Sequence, residues 1–311
     1  MKSKKIAVFL HLYNTELAQY FLDYLLPLKN LVKVYITLPD DDNEHQEVKD
    51  LLDPIKPTFD HIANIGTDIL PFLKQLNKYG NKHTYFLKIH SKKSLRDHHA
   101  SWLSILMHEL AGSETIFRNN IDILEQNPQL VSIGPASCLM NYEACHDIWI
   151  DYLMHEMKIP DDNRSHFIAG TMFMGRTESF LKYFNKNVAQ WLESLMIKKG
   201  EVGHTKDWSH TLQRCYPSYV HSMERIFGYI GDVSITEPVC YLFAKERALR
   251  RLVITKDQEI YDVFNSTIFG QIVKEENNEI TIVWKHKRPR SKEVYKIDHE
   301  LRLLQKVDDD S

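Results

Sequence analysis

The chain has 311 residues, of which 43% are hydrophobic and 26% are charged. This composition is ordinary for a globular protein with a full-sized core. The formal net charge of −3 provides no global basic field of the kind that drives nonspecific nucleic-acid binding, so any site for an anion must be local. The composition therefore predicts no nucleic-acid partner.

The cysteines and histidines give no sign of a disulfide framework or a zinc site. The four cysteines contain no CxxC pair, and the sixteen histidines form neither HExxH nor a zinc-finger spacing. This usage favours a reducing, cytoplasmic location. The apolar run near the start covers only residues 6–10, which is too short for a signal peptide or a membrane span.

The first part of the chain alternates between strand and helix patterns. Strands are predicted at 5–10, 31–37, 59–62, 84–89 and 130–134, and helices at 15–28, 67–79 and 99–126. The alternation predicts an α/β fold, Rossmann-type, with a mostly parallel sheet flanked by helices. In such open sheets, ligands bind at the carboxyl ends of the strands. His11, Tyr13, Thr37, Asn64 and the loop that begins at His90 all fall at or just after such ends.

A glycine turn, residues 64–68, lies between a predicted strand and a predicted helix. Gly66 is suited to positive φ or to a close approach of a ligand to the backbone. Asp68 stands where a helix cap or a first-turn acid belongs. The sequence leaves two interpretations open for Asp68, a simple cap or a group that faces a ligand.

The strand at 84–89 ends in the basic loop His90-Ser91-Lys92-Lys93-Ser94. Lysines and hydroxyls in this place supply charge-assisted donors to a phosphate, while the simpler interpretation is a solvated loop. The chain contains no GxxxxGK[ST] and no strand-linked GxGxxG. A P-loop nucleotidase and a dinucleotide-binding dehydrogenase therefore both lack support.

The pattern changes from about residue 167. Residues 167–176 predict two short extended pieces, and helices follow at 179–199, 207–215 and 218–230. Gly170 and Thr171 interrupt the apolar run, which indicates either a close approach of a sugar or acceptor to the backbone or a bulge in a core strand.

The helix at 218–230 carries a possible acid–base pair. His221 and Glu224 stand three residues apart and so share one side of the helix. Glu224 is suited to take a proton from an attacking hydroxyl. The alternative is an ordinary surface helix in which Glu224 and Arg225 are solvated.

The tail after about residue 250 differs in character. It contains a predicted hairpin strand at 279–284, a basic stretch at 285–292 and a final run of acids. The basic stretch predicts either a contact with an anionic membrane face or a solvated connector. No internal repeat and no low-complexity linker divides the chain.

Five ordered segments resemble one family, the rhamnan-synthesis F family of polysaccharide-assembly glycosyltransferases. They are KIAVFLHLYN, NIGTDILPFL, FLKIHSKKS, FIAGTMFMGR and HSMERIFG, and they span residues 5–228. The second segment departs from the family signature, which usually has Arg at the position of Thr67 and Gly at the position of Leu70.

The resemblance implies a GT-A-like fold and a nucleotide-sugar-dependent hexosyl- or rhamnosyltransferase that builds a surface polysaccharide such as O-antigen (in lipopolysaccharide), capsule or rhamnan. On this basis the transferase domain is expected at 1–250, with a nucleotide-sugar half at 1–134, an acceptor half at 135–250 and a C-terminal appendage at 251–311. The donor, dTDP- or UDP-linked, is expected to contact His11, Tyr13, Thr37, Asn64, Gly66, Asp68, His90, Lys92 and Lys93.

Gly170 and Thr171 are expected beneath the acceptor sugar. Glu224 is the first candidate for a general base if transfer inverts the anomeric centre, and His221 is the second. If transfer retains the configuration, no such base is required and Glu224 positions the acceptor.

The resemblance also bears on metal use. Most GT-A enzymes end the strand equivalent to 84–89 in an Asp-x-Asp that holds a divalent metal. Here the position is occupied by the basic loop, so Lys92 and Lys93 are expected to neutralise the diphosphate and no metal or other cofactor is expected. The acidic runs Asp40-Asp41-Asp42 and Asp161-Asp162 are interpreted as solvated loops.

The expected partners are the nucleotide sugar and a glycan acceptor, the latter presented on a lipid if residues 285–292 hold the protein at the inner face of the membrane. An alternative from another class is a non-catalytic module that binds a glycan or a partner enzyme in a polysaccharide-assembly complex. A convergence of Asp68, the basic loop and Glu224 on one cleft favours the enzyme. A sugar-phosphate hydrolase ranks last because no nucleophile motif is evident.

Overall fold

The computed structural model describes residues 5–40, 45–91, 100–141, 147–161, 164, 166–201, 218–238, 240–245, 248–262, 268–284, 292–300 and 302–307. The chain forms two compact units. The first consists of Met1–Lys92, Ser113–Gly134 and Cys138–Ile235, and the second of Lys93–Gly112, Pro135–Ser137 and Thr236–Ser311.

The first unit is built on one large sheet. Its strands are β1 (Ile6–His11), β2 (Val32–Pro39), β3 (Thr58–Ile62), β4 (Tyr85–His90), β5 (Leu130–Gly134), β8 (Phe173–Arg176) and β9 (Asp232–Ile235), and β6 (Leu139–Asn141) and β7 (His166–Ile168) form a separate antiparallel pair. The sheet has seven strands in the order β3-β2-β1-β4-β8-β5-β9. Strands β3, β2, β1 and β4 are parallel, β8 is antiparallel to both its neighbours, and β9 is parallel to β5. The prediction of an α/β fold with a mostly parallel sheet is confirmed.

Helices flank this sheet. They are α1 (Ala18–Leu25), α2 (Gln46–Leu52), α3 (Ile69–Tyr79), α5 (Glu114–Gln126), α6 (Asp147–Met157), α7 (Thr177–Tyr183), α8 (Lys186–Lys199) and α9 (Tyr219–Tyr229), while α4 (Ala100–Ala111) belongs to the second unit. Single 3-10 turns extend α1 at both ends, follow α2 and α3, and precede β6.

Phenylalanines fill the core between the sheet and its helices. Phe72 of α3 lies 5.1 Å from Phe86 of β4 and 5.6 Å from Phe227 of α9, measured between ring centroids. Phe180 of α7 lies 5.0 Å from Phe86. Each of these rings is almost fully buried. Because such rings bury a large apolar area, this cluster fixes α3, β4 and α9 relative to one another.

Two predicted long helices are each divided in the structure. The helix expected at 99–126 is α4 followed by α5, with Gly112 between them and Ser113 capping α5 by accepting the Ile116 N–H. The helix expected at 179–199 is α7 followed by α8, and Asn185 caps α8 in the same way. A side-chain cap starts a new helix because it satisfies the first free N–H groups. The helix expected at 207–215 lies outside the described residues.

The second unit contains α4 and a seven-stranded sheet that closes on itself. Its strands are β10 (Tyr241–Lys245), β11 (Ala248–Ile254), β12 (Glu259–Asp262), β13 (Ile268–Glu276), β14 (Glu279–Trp284), β15 (Lys292–Asp298) and β16 (Leu303–Lys306). Neighbouring strands are antiparallel except β10 and β16, which are parallel and close the sheet. Ile260, Ile280 and Ile282 are fully buried in its core. The predicted hairpin strand at 279–284 is β14.

Candidate functional site

Three polar side chains meet at the carboxyl edge of the parallel strands. His11 is aligned with Thr37 on one side and with His90 on the other. The His11 Nδ1 atom lies 2.8 Å from the Thr37 hydroxyl. Burial, opposed in part by the Asp68 charge, lowers the pKa of His11 to about 4. At neutral pH this edge therefore presents an uncharged imidazole.

Asp68 lies at the N-terminal end of α3, yet its carboxylate makes no capping hydrogen bond. Its Oδ2 atom instead accepts hydrogen bonds from the Lys88 ammonium and from the Thr171 hydroxyl, each at 2.5 Å. The His90 Nδ1 atom lies 3.5 Å from the same oxygen. The interpretation of Asp68 as a simple helix cap is therefore wrong.

Lys88 is a site residue that the sequence analysis missed. Its side chain is 1% exposed, and its Nζ atom donates both to Asp68 and, at 2.7 Å, to the Thr171 carbonyl oxygen. Burial alone would raise the pKa of Asp68, but the nearby His90 and Lys88, with the Lys88 and Thr171 hydrogen bonds, hold that pKa well below its ordinary value. The signal in the sequence was a lysine inside an otherwise apolar strand.

Gly170 and Thr171 form a turn between β7 and β8, with φ of 86° and 51°. The Gly170 N–H donates to the Glu224 Oε1 atom at 2.7 Å. The Glu224 Oε2 atom accepts from Arg225, which is buried, at 2.6 Å. Two interpretations are thereby excluded, a bulge within a core strand at 170–171 and a solvated surface pair at 224–225.

A close helix–strand contact holds Glu224 at this turn. A Cβ atom added to Gly228 would lie only 2.3 Å from the His166 carbonyl oxygen. Glycine therefore allows α9 to approach β7 closely enough for Glu224 to reach the Gly170 backbone. The glycine of the segment HSMERIFG thus has a packing role.

Several other residues predicted for the site contact groups other than the Asp68 and Glu224 carboxylates. The Tyr13 ring lies 6.1 Å from the His11 ring, and Asn64 is half-buried between β3 and α3. Gly66 has φ of 65° and donates its N–H to the Glu201 carbonyl oxygen at 2.9 Å. His221 is exposed and its ring bonds the Ser218 hydroxyl at 2.6 Å. Lys92 and Lys93 lie outside the described residues.

Glu201 is a second residue that the sequence analysis missed. Its side chain is buried, and its two carboxylate oxygens accept the N–H groups of Tyr219 and Val220, at 2.8 and 3.1 Å. Glu201 thus caps α9 while its carbonyl oxygen holds Gly66. A link of this kind joins parts of the chain distant in sequence, and no local pattern marks it.

Among the described residues, no group of three or more His, Cys, Asp and Glu side chains is placed to hold a metal ion. Asp161 is paired with Arg164. Asp41, Asp42 and Asp162 lie outside the described residues, so the expectation of metal-free chemistry stays a prediction.

In the described part of the chain, none of the helices combines the length and apolar character needed to cross a bilayer. Residues 285–291 of the basic stretch are not described, and Lys292 begins β15. The membrane contact stays a prediction.

Comparison with solved structures finds a likeness to 4-diphosphocytidyl-2C-methyl-D-erythritol synthase from Anaerococcus prevotii. The TM-score is 0.36 at 12% sequence identity, over 75% of this chain and 89% of that one. A TM-score below 0.5 makes the likeness too loose to bear on the chemistry of this chain. A comparison with curated proteins matched none of them.

The sequence family described as "Rhamnan synthesis protein F" matches residues 1–233, three quarters of the chain. The matched region includes β1, the turn before α3, the end of β4, the Gly170–Thr171 turn and α9. The last four of these supply side chains or backbone groups to the network around Asp68 and Glu224, and β1 supplies His11, which bonds Thr37. The chain therefore belongs to the rhamnan synthesis protein F family and takes part in polysaccharide synthesis.

Proposed function

We propose that the protein is a glycosyltransferase that moves a sugar from a nucleotide-sugar donor to a growing surface polysaccharide. Family membership supports a role in polysaccharide synthesis. The mostly parallel sheet, with polar groups at the carboxyl ends of its strands, supports a nucleotide-binding edge.

One observation carries the proposal. Hydrogen bonds from Lys88 and Thr171 to Asp68, and from the Gly170 N–H to Glu224, are linked through the Gly170–Thr171 peptide bond into one network. It connects residues of the expected nucleotide-sugar half, 1–134, with residues of the expected acceptor half, 135–250. A transferase requires donor and acceptor groups in one place because its two substrates must react together.

The proposed roles follow from charge. Asp68 is held ionised, so it acts as a hydrogen-bond acceptor for a donor hydroxyl and not as a proton donor. Glu224 is the proposed base in an inverting reaction, because each of its oxygens keeps a second lone pair beside the bonds to Gly170 and Arg225. Lys92 and Lys93, which lie outside the described residues, are proposed to face the diphosphate in place of a metal.

A ligand panel tests the function. Purified protein is heated with dTDP, UDP, GDP and CMP and with their sugars, each with EDTA and with Mn²⁺. A ligand that binds only the folded state raises the melting temperature, so we expect a selective shift with a dTDP- or UDP-sugar that survives EDTA. No shift with any of these ligands would favour the non-catalytic glycan- or partner-binding module, and a shift that requires Mn²⁺ would overturn metal independence.

Glu224→Gln tests the base. Turnover should fall by roughly 10²–10⁴-fold if Glu224 removes the proton from the acceptor hydroxyl. The matched control is Glu193→Gln, since Glu193 is also ion-paired, to Lys74 at 2.6 Å, but lies outside the site. Turnover of Glu224→Gln within a few-fold of the parent would remove Glu224 from that role.

A further inference from the structure

Two Gly-Thr dipeptides stand on either side of the Asp68 carboxylate. Gly66 and Thr67 have φ of 65° and 51°, and Gly170 and Thr171 have φ of 86° and 51°. Glycine adopts this left-handed region freely, but threonine is β-branched and does so only under strain. The same dipeptide thus takes the same rare conformation in two separate turns.

Both threonine hydroxyls contact the same carboxylate. The Thr171 Oγ1 atom donates to Asp68 Oδ2 at 2.5 Å, and the Thr67 Oγ1 atom donates to Asp68 Oδ1 at 3.2 Å. One threonine therefore holds each oxygen of the carboxylate. The shorter distance makes the Thr171 contact the stronger of the two.

Each strained turn is fastened by a group outside it. The Gly66 N–H is bound by the Glu201 carbonyl oxygen at 2.9 Å. The Gly170 N–H is bound by the Glu224 carboxylate at 2.7 Å, and the Thr171 carbonyl oxygen accepts from Lys88 at 2.7 Å. Strained backbone persists only where the surrounding structure holds it, and it concentrates at functional sites.

We infer that Thr67 and Thr171 are positioning residues that fix the orientation of the Asp68 carboxylate for the sugar-nucleotide substrate. The identity of that ligand rests on the proposed function. An ionised carboxylate can only accept hydrogen bonds, so its orientation decides which substrate hydroxyl it receives. The Thr171 hydroxyl proton is then directed to Asp68 and not to an acceptor sugar.

Paired substitutions separate the hydroxyl from the backbone strain. Thr171→Val keeps the branched side chain and removes the hydroxyl, and we expect kcat/KM for the sugar nucleotide to fall by roughly tenfold to a hundredfold. Thr171→Ser keeps the hydroxyl and relieves the strain, so its kcat/KM should stay within about threefold of the parent. Thr67→Val should lower kcat/KM less than Thr171→Val, because the Thr67 hydroxyl lies 3.2 Å from the Asp68 carboxylate and the Thr171 hydroxyl 2.5 Å.

Thr236→Val is the matched control. The Thr236 hydroxyl also bonds a buried carboxylate, that of Glu109, at 2.5 Å, but in the second unit. This variant should lower the melting temperature and leave kcat/KM unchanged. A loss of kcat/KM in Thr171→Ser as large as in Thr171→Val would overturn the positioning role.

A second measurement needs no substrate. In protein labelled with ¹³C at aspartate, the Asp68 Cγ resonance is assigned by its absence in Asp68→Asn. It should shift in Thr171→Val, shift less in Thr67→Val and stay in place in Thr236→Val. An unmoved resonance in Thr171→Val would refute the inference. A parent protein that neither binds nor uses any sugar nucleotide would refute the proposed function, and the resonance would still decide the role of the threonines.

Discussion

Asp68 and Glu109 are two carboxylates that are largely shielded from solvent, 14% of the Asp68 side chain and 1% of Glu109 being exposed, and their electrostatics are opposite. Asp68, in the first unit, is bonded by the Lys88 ammonium and the Thr171 hydroxyl, and its pKa is held low. Glu109, in the second unit, accepts from neutral groups, the Tyr261 hydroxyl at 2.6 Å among them, and burial raises its pKa. Hydrogen bonds from neutral donors lower the pKa of Glu109 less than burial raises it.

The difference shows what a buried cation contributes. Desolvation raises the pKa of a carboxyl group, while nearby positive charges and hydrogen bonds to the ionised form lower it. At Asp68 the charges of His90 and Lys88 act together with hydrogen bonds and outweigh burial, whereas at Glu109 hydrogen bonds alone do not. A carboxylate held ionised in this way can bind substrate hydroxyls at any working pH. Glu109 of α4 instead accepts hydrogen bonds from Ala136, Thr236 and Tyr261 of β12. It is therefore suited to hold these parts of the second unit together.

Removal of the Lys88 cation should have the largest effect on the difference between the two carboxylates. Lys88→Met leaves the largely shielded Asp68 carboxylate without its ammonium partner, so we expect the free energy of unfolding to fall by about 3–5 kcal/mol. Urea unfolding measures it. Turnover should also fall, because the loss of Lys88 removes one hydrogen bond to Asp68 and one to the Thr171 carbonyl oxygen.

Lys74→Met is the control for Lys88→Met. Lys74 is ion-paired to Glu193 at 2.6 Å, but its side chain is 38% exposed. Its removal should cost less than about 1 kcal/mol because exposed pairs contribute little. Equal losses in the two variants would show that burial of the pair does not matter. In Lys88→Met with Asp68→Asn, part of the stability should return without activity.

Glu109→Gln tests the other carboxylate. The amide keeps the shape of the side chain, but only its oxygen accepts hydrogen bonds. It cannot accept both the Ala136 N–H, at 2.8 Å, and the Tyr261 O–H, at 2.6 Å, which now bond different oxygens of Glu109. One unsatisfied donor should lower the free energy of unfolding by about 1–3 kcal/mol. Urea unfolding and the turnover assay should show reduced stability with unchanged kcat. A loss of kcat like that of Lys88→Met would place Glu109 in the catalytic machinery.

Local patterns in the sequence predicted much of the first unit. Strands β1, β2, β3, β4 and β5 follow apolar runs, and α3 and α9 follow helical periodicity. By contrast, β9 has only four residues and is partly polar, so no pattern marked it. The closed sheet of the second unit depends on pairing between distant strands, which sequence periodicity does not encode.

The site was also predicted only in part, because local patterns reveal single residues but not their distant partners. Asp68 stood out because it follows a glycine turn at the start of a helix, Gly170 because it interrupts an apolar run, and Glu224 because it lies three residues from His221 on a helix. Lys88 and Glu109 were visible as charges within apolar segments, but their partners lie far away in sequence: Thr171 is 83 residues from Lys88, and Tyr261 is 152 residues from Glu109. Only the tertiary structure shows that the Asp68 carboxylate is paired with a cation and that the Glu109 carboxylate is bonded by neutral groups.

The smallest effect is the pH dependence of stability, and it has opposite signs at the two carboxylates. The folded pKa of Asp68 lies below its ordinary 3.8, so below pH 3.8 the unfolded state binds more protons and stability falls as pH falls. The folded pKa of Glu109 lies above its ordinary 4.5, so above pH 4.5 the folded state binds more protons and stability falls as pH rises through the folded pKa.

Urea unfolding from pH 3 to pH 8 measures both signs. Each group changes the free energy of unfolding by at most about 1.4 kcal/mol per pH unit. The parent profile also contains His11, whose lowered pKa of about 4 makes stability rise with pH, so the informative quantity is the difference between variant and parent. Glu109→Gln should remove the decline in the free energy of unfolding above pH 4.5. Lys88→Met should remove the decline that the parent shows as the pH falls below 3.8. Identical slopes in Glu109→Gln and the parent above pH 4.5 would mean that Glu109 is ionised in the folded protein, and the contrast with Asp68 would disappear.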